Sequence, residues 1–242
     1  MGYKRVLLKV SGETFKGPKG AYDPDAILYL TDQIQRARDV TKVQLAIVPG
    51  GGNVIRGSSL IENLGIDTTR AHIVAMNATI MNGLALKACL VKDGLPQDSI
   101  RVMSKAWVPE GGELFDFEKA RHALDAGQIV IIVGGIGTPG ITTDSAAVFL
   151  APQVGAEVAF KGTTKVDGVY DENPDTAKEK PNLLQKISYA DFLNKGLSGI
   201  FDRPAVAHAQ EIELPIVVFK ISESGNLLRA INGMSVGTLI SS

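Results

Sequence analysis

Val48-Pro49-Gly50-Gly51-Gly52-Asn53-Val54-Ile55-Arg56-Gly57 follows directly on the apolar run Val43-Gln44-Leu45-Ala46-Ile47. A buried-looking strand that empties into three consecutive glycines puts permissive backbone at a strand end. There it can take positive φ and approach a bulky anion with no Cβ in the way. A phosphate suits such a place. Arg56 is expected about one helical turn into the next element, where a planar guanidinium can grip phosphate oxygens in pairs. Glycine runs are also ordinary turn punctuation, so the stretch gains meaning only from its surroundings.

Upstream, Tyr3 to Val10 (YKRVLLKV) reads as a strand buried on both faces of a parallel sheet, closed by Lys9-Val10-Ser11-Gly12. A lysine at that end lies where open α/β sheets bind ligands, although a lysine reaching to solvent would look the same. Asp23-Pro24 starts a helix with Ile27, Leu30, Ile34 and Ala37 on one face, which completes a first βαβ unit. Downstream, Thr69 to Lys92 is the longest helix expected, ended by Gly94 and Pro96. His72 lies near its start, either against a ligand or solvated.

Gln128 to Val133 is the most apolar strand, and it opens into Gly134-Gly135-Ile136-Gly137-Thr138-Pro139-Gly140-Ile141-Thr142-Thr143-Asp144. This second Gly-rich loop feeds a helix, and its threonine hydroxyls and free N–H groups suit a phosphate or a ribose. Asp144 repels anions, so it positions a lysine or a magnesium ion, or simply caps the helix. A further strand, Ala156 to Lys161, leads to Thr164-Lys165-Val166-Asp167-Gly168-Val169-Tyr170, where Asp167-Gly168 signals a hairpin and Tyr170 offers a flat ring to a nucleobase. Helices follow at Ser188 to Lys195 and Asp202 to Glu211, then a strand at Ile216 to Phe219, a helix at Asn226 to Ile231 and an edge strand at Gly237 to Ile240.

The 242 residues suit a single α/β domain, and the 26 glycines suit its many tight strand-to-helix turns. A formal net charge of -1 gives no field to draw the chain to nucleic acid or an anionic membrane. Cys89 is the only cysteine, which excludes an intramolecular disulfide or a cysteine metal cluster and fits a reducing cytoplasm. No histidines stand at metal-ligand spacing, and no apolar run is expected to reach a membrane span. The lack of GxxxxGK[ST] argues against a P-loop, and the lack of GxGxxG after the first strand argues against a dinucleotide fold.

Together, KVSGE (Lys9 to Glu13), GGGNVIRG (Gly50 to Gly57), ATIMNGLA (Ala78 to Ala85), TTDSAA (Thr142 to Ala147), TKVDGVYDENP (Thr164 to Pro174) and LPIVVF (Leu214 to Phe219) resemble the amino acid kinase superfamily, and within it the bacterial UMP kinases. The resemblance runs from Tyr3 to Ile240. It implies a three-layer αβα sandwich of the carbamate kinase-like type, with a central, mostly parallel sheet. It also implies transfer of the ATP γ-phosphoryl group to UMP with Mg²⁺, in a cytoplasmic homohexamer.

By the same resemblance, Lys9, Val10, Ser11, Gly12, Gly52 and Arg56 hold the ATP phosphates, and Thr164, Tyr170 and Asn173 line the adenosine pocket. Gly51, His72 and the loop of Ile136, Gly137, Thr138, Pro139, Gly140, Ile141, Thr142 and Thr143 hold UMP. Lys9, Arg56 and Asp144 carry catalysis. The chain departs from the family at His72 and Asn173, where aspartates are usual, in the altered loop Gly135 to Asp144, and in one extra threonine before Lys165. The phosphate-handling groups remain. A different small acceptor, or a silent nucleotide-binding module on the same fold, are the competing readings.

Overall fold

The computed structural model describes residues 2–105, 112–172, 177, 180–197 and 200–242. The chain begins with strand β1 (Arg5–Val10), helix α1 (Pro24–Thr41), strand β2 (Gln44–Pro49) and helices α2 (Gly57–Leu64) and α3 (Thr68–Lys92). Next come β3 (Ile100–Ser104), β4 (Glu113–Leu114), α4 (Phe117–Asp125), β5 (Ile129–Val133), α5 (Thr143–Val154) and β6 (Val158–Thr163). The rest is β7 (Lys186–Ser188), α6 (Tyr189–Asn194), α7 (Arg203–Glu211), β8 (Ile216–Lys220), α8 (Asn226–Ile231) and β9 (Thr238–Ser241).

Among the described residues these strands form one sheet in the order β4-β3-β5-β2-β1-β6-β8-β9-β7, parallel throughout except where β8 meets β9. Alternate residues of each strand face opposite layers. Leu7 and Ala46 pack with Leu124 of α4, Leu150 of α5, Phe192 of α6 and Val206 of α7. Val6 and Leu8 pack with Ile34 of α1, Leu86 of α3 and Leu227 of α8. The result is an αβα sandwich with a mostly parallel central sheet, as expected.

Helix starts follow local capping chemistry. Asp23 accepts from the N–H groups of Asp25 and Ala26 ahead of α1, Asp116 caps α4, and Thr142 accepts from Ser145 N–H ahead of α5. The chain leaves β1 for β2 on one side, and β6 later takes its place on the other side of β1. The loops after β5, β2, β1 and β6 therefore lie side by side at the carboxyl rim, around the point where the strand order reverses and open α/β sheets bind ligands.

Several expectations need correcting. Arg56 is not one turn into a helix; it stands extended at φ -109 and ψ 132, directly ahead of α2. None of Gly50, Gly51 and Gly52 takes a positive φ. Their lack of side chains serves close approach instead: a Cβ on Gly51 would lie 2.8 Å from Ala78 Cβ, and one on Gly12 only 2.5 Å from Gly52 N. Asp167-Gly168 forms no hairpin, because Val169 N–H donates to Thr238 Oγ1 (2.8 Å) and folds the segment under β9. That strand is not at the sheet edge either, since β7 pairs on its far side. Helix α3 is long and apolar enough by composition to cross a membrane, contrary to the sequence expectation; it packs against β3 and β5.

Candidate active site

Lys9 on β1 and Lys161 on β6 are paired residues of neighbouring parallel strands, so their side chains leave the sheet on the same face. That face carries α5, whose first turn begins where β1 and β6 end. Asp144, in that turn, places its carboxylate between the two ammonium groups: Lys9 Nζ lies 2.9 Å from Oδ1 and Lys161 Nζ 2.6 Å from Oδ2. All three side chains are largely buried, at 9%, 12% and 9% exposure for Lys9, Lys161 and Asp144. Lys9 therefore does not merely reach to solvent, and it belongs to the packed interior.

Burial pushes the Asp144 carboxyl upward, but the charges of Lys9 and Lys161 outweigh it and hold the group below the usual carboxylate range. Lys161 moves below the ordinary lysine range, chiefly through burial and further through repulsion by Lys9, against the pull of Asp144. Two ammonium groups and one carboxylate leave a net positive centre at the rim of the sheet. Asp144 is ion-paired to both lysines, and Thr142 rather than Asp144 caps α5.

A cleft of about 590 Å³ opens beside this centre and is lined by Lys9, Ser11, Arg56, Lys161, Thr164 and Tyr170. Lys9, Ser11, Arg56, Thr164 and Tyr170 of the expected donor set are thus among its lining. Gly12 packs directly against Gly52, and neither is among the residues that line the cleft. Val10 stays in the core, and its carbonyl accepts from Gly50 N–H at 2.8 Å, so it shapes the cleft through the backbone alone. Tyr170 donates to Asp167 Oδ2 at 3.0 Å. Arg56 spans the mouth to Glu13, 2.5 Å away. Asn173 lies outside the described residues.

The second Gly-rich loop starts one strand beyond β2. Gly134, Gly135, Gly137 and Gly140 all take positive φ, between 60° and 89°, a backbone region that L side chains rarely enter. The loop is pinned at its base by Gly134 N–H donating to Thr79 Oγ1 on α3 (2.8 Å), and at its end by Thr142 Oγ1 donating to Asp202 Oδ2. Between these ends Gly137, Thr138, Gly140 and Ile141 are exposed, with Ile136, Pro139 and Thr143 half-buried.

His72 sits between this loop and Gly57. Its Nδ1 is 3.9 Å from where a Gly140 Cβ would lie, and its Cδ2 is 2.9 Å from the matching point on Gly57. Nδ1 is buried, with no hydrogen-bond partner among the described residues. Gly51 packs under Ala75 and Ala78 of α3, on the floor shared by both loops.

The sequence reading missed Lys161, Glu13 and Asp202. Lys161 did carry a signal, a lone charge near the carboxyl end of an otherwise apolar strand, the pattern that singled out Lys9. Among the described residues no group of three His, Cys, Asp or Glu side chains is placed to hold a metal ion.

The family model described as "Amino acid kinase family" matches residues 4–220. The chain is 38% identical over 241 residues to the chloroplastic uridylate kinase PUMPKIN of Arabidopsis thaliana, covering 98% of this chain and 68% of that protein. Its structure superposes on the UMP kinase of Bacillus anthracis with a TM-score of 0.92 and 31% identity, covering 100% of this chain and 97% of that one. For the UMP kinase of Ureaplasma parvum the values are 0.89 and 29%, with both chains covered completely. Matched along nearly its whole length by the family model and by these relatives, the chain belongs to the amino acid kinase family.

Proposed function

We propose that this chain transfers the γ-phosphoryl group of ATP to UMP, giving ADP and UDP. The observation that carries the reading is the Lys9–Asp144–Lys161 centre, buried at the carboxyl rim beside the strand that ends in the triple-glycine loop, with Asp144 supplied at the end of the second Gly-rich loop. ATP lies in the cleft, its phosphates over Ser11, Gly12 and Gly52 and gripped by Lys9 and Arg56, its adenosine toward Thr164 and Tyr170. UMP lies against Gly51, His72 and the loop from Ile136 to Thr143.

A phosphate oxygen of UMP attacks the γ-phosphorus in line, the bond to the β–γ bridging oxygen breaks, and ADP leaves with that electron pair. No general base is required, because the attacking oxygen is already ionised near neutral pH. Lys9 and Lys161 counter the charge on the transferring group, and Asp144 fixes their ammonium groups in advance, so little reorganisation is needed during transfer.

Both oxygens of Asp144 face lysines, so the residues present suit a magnesium ion carried on the triphosphate and not one held in a protein cage. Mg²⁺ bound there would neutralise phosphate charge. The same reading takes the chain as a homo-oligomer, hexameric by family resemblance, working in the cytoplasm without nucleic acid or membrane. Ile73, Val74 and Met81 of α3, at 46%, 42% and 51% exposure, form the apolar surface such an assembly would cover.

The test is phosphotransfer from ATP in the presence of Mg²⁺, with UMP, CMP, dUMP, carbamate and acetylglutamate compared as acceptors. UMP is expected to be turned over best. Turnover of another acceptor without UMP, or nucleotide binding with no transfer at all, would overturn the proposal.

A further inference from the structure

One turn of α3 holds both Gly-rich loops. Thr79 Oγ1 donates to Met76 carbonyl (2.7 Å) and is thereby oriented to accept from Gly134 N–H (2.8 Å), the first residue of the loop after β5. Asn82, three residues on and therefore on the same face, donates to Gly50 carbonyl (2.6 Å) at the start of the triple-glycine loop. Asn82 and Asn53 also exchange side-chain hydrogen bonds of 2.6 and 3.1 Å, and Asn53 donates on to Ala21 carbonyl at 2.9 Å.

These groups are buried, with Thr79 at 3%, Asn82 at 0% and Asn53 at 8% exposure. The adjoining Gly83 lets the helix settle on the end of β5, since a Cβ there would lie 2.3 Å from Val133 Cγ1. Buried side-chain amides and hydroxyls carry a desolvation cost that a well-packed apolar helix would avoid. Apart from the Met76 carbonyl of α3 itself and the Asn53–Asn82 exchange, their hydrogen-bond partners among the described residues are the loop backbone atoms of Gly134, Gly50 and Ala21.

We propose that Thr79 and Asn82 are positioning residues that set the spacing between the two substrates, Thr79 by anchoring the acceptor loop and Asn82 by anchoring the triple-glycine loop, which carries Gly52 on the donor side and Gly51 on the acceptor side. Neither touches a reacting atom. The reading follows from geometry: the bonds run to different loops from one rigid turn, so the turn fixes how far apart the loops stand. In-line transfer is sensitive to displacements of about 1 Å. The assignment of donor and acceptor rests on the function proposed above.

The test compares full-length wild type, Thr79→Val, Thr79→Ser and Asn82→Ala by steady-state kinetics, with folding checked by thermal unfolding. Thr79→Val removes the acceptor of the Gly134 bond at nearly constant volume. It is expected to raise the UMP KM about tenfold, the scale of one buried hydrogen bond, and to lower kcat while leaving the ATP KM within about twofold. Thr79→Ser keeps the hydroxyl and should restore the wild-type values. Asn82→Ala should raise the ATP KM, which Thr79→Val leaves nearly unchanged; if it does not fold, the two Thr79 variants carry the test by themselves.

Equal changes in both KM values for Thr79→Val, or no change in either, would overturn the proposal while UMP turnover by the wild type leaves the function standing. If the wild type turns over no UMP, that function fails. The split is then read from the dissociation constants of ATP and of the nucleoside monophosphate that binds, and a chain that binds neither overturns both.

Discussion

Asp144→Asn is the substitution that bears hardest on the buried centre. It keeps the shape of the side chain and one carbonyl oxygen, and it removes only the negative charge between Lys9 and Lys161. The substitution forfeits the attraction of a carboxylate lying 2.9 Å from Lys9 Nζ and 2.6 Å from Lys161 Nζ, and leaves the repulsion between the two buried ammonium groups uncompensated. Removing one member of a buried ion pair costs about 3–5 kcal/mol. For a chain of this size the loss corresponds to a fall in Tm of about 6–20 °C.

The assay is thermal unfolding of wild type and variant at neutral and at alkaline pH. Lys161 already sits below the ordinary lysine range, and without Asp144 its proton is held more weakly still. Where the folded state releases a proton that the unfolded chain retains, stability rises with pH. The deficit of the variant should therefore shrink as pH climbs toward the ordinary lysine value. A variant that melts within about 2 °C of wild type, or whose deficit is the same at both pH values, would refute the reasoning.

Arg56→Ala should leave stability within about 0.5 kcal/mol of wild type, because its side chain is 57% exposed. The ATP KM should nonetheless rise, and unchanged ATP kinetics would remove Arg56 from the donor site. His72→Asp should lower the UMP KM if the unpartnered Nδ1 faces the acceptor; an unaltered KM in a correctly folded variant would contradict that placement. Turnover should decline on the alkaline side at a pH below the ordinary lysine value of 10.5, since the charge on Lys161 is lost early. A profile that stays flat up to that pH would show that this charge does not assist transfer. At the acid end, the stability contributed by Asp144 is complete above the usual carboxylate range and fades as pH falls through its depressed value, which acid titration of the melting curve can follow.

The layered fold was legible because its strands are apolar on both parities and its helices carry cap residues, as with Asp23 ahead of α1 and Asp116 ahead of α4. What escaped was short or decided by distant parts of the chain. Strands β4 and β7 have two and three residues, too few for a periodic pattern. Helix α2 has Arg56 at its N-cap with no side-chain capping bond, so nothing marked its start.

At the site, Lys9 and Asp144 were readable from their places beside Ser-Gly and a helix start. Lys161 carried the same strand-end signal as Lys9, but what raises it to a partner of Asp144 is the pairing of β6 with β1, which periodicity does not encode. The hairpin signal at Asp167-Gly168 was overridden by Thr238, which supplies the hydrogen-bond partner that a facing strand would have offered.

The account turns on two phosphates meeting at one buried cationic centre. A crystal structure of the chain with a non-hydrolysable ATP analogue and UMP tests that directly. The γ-phosphate should lie against the ammonium groups of Lys9 and Lys161, with the UMP phosphate facing it from the side of Gly51 and the loop ending at Thr143. Either nucleotide bound away from these lysines, or the two phosphates held too far apart for in-line attack, would contradict it.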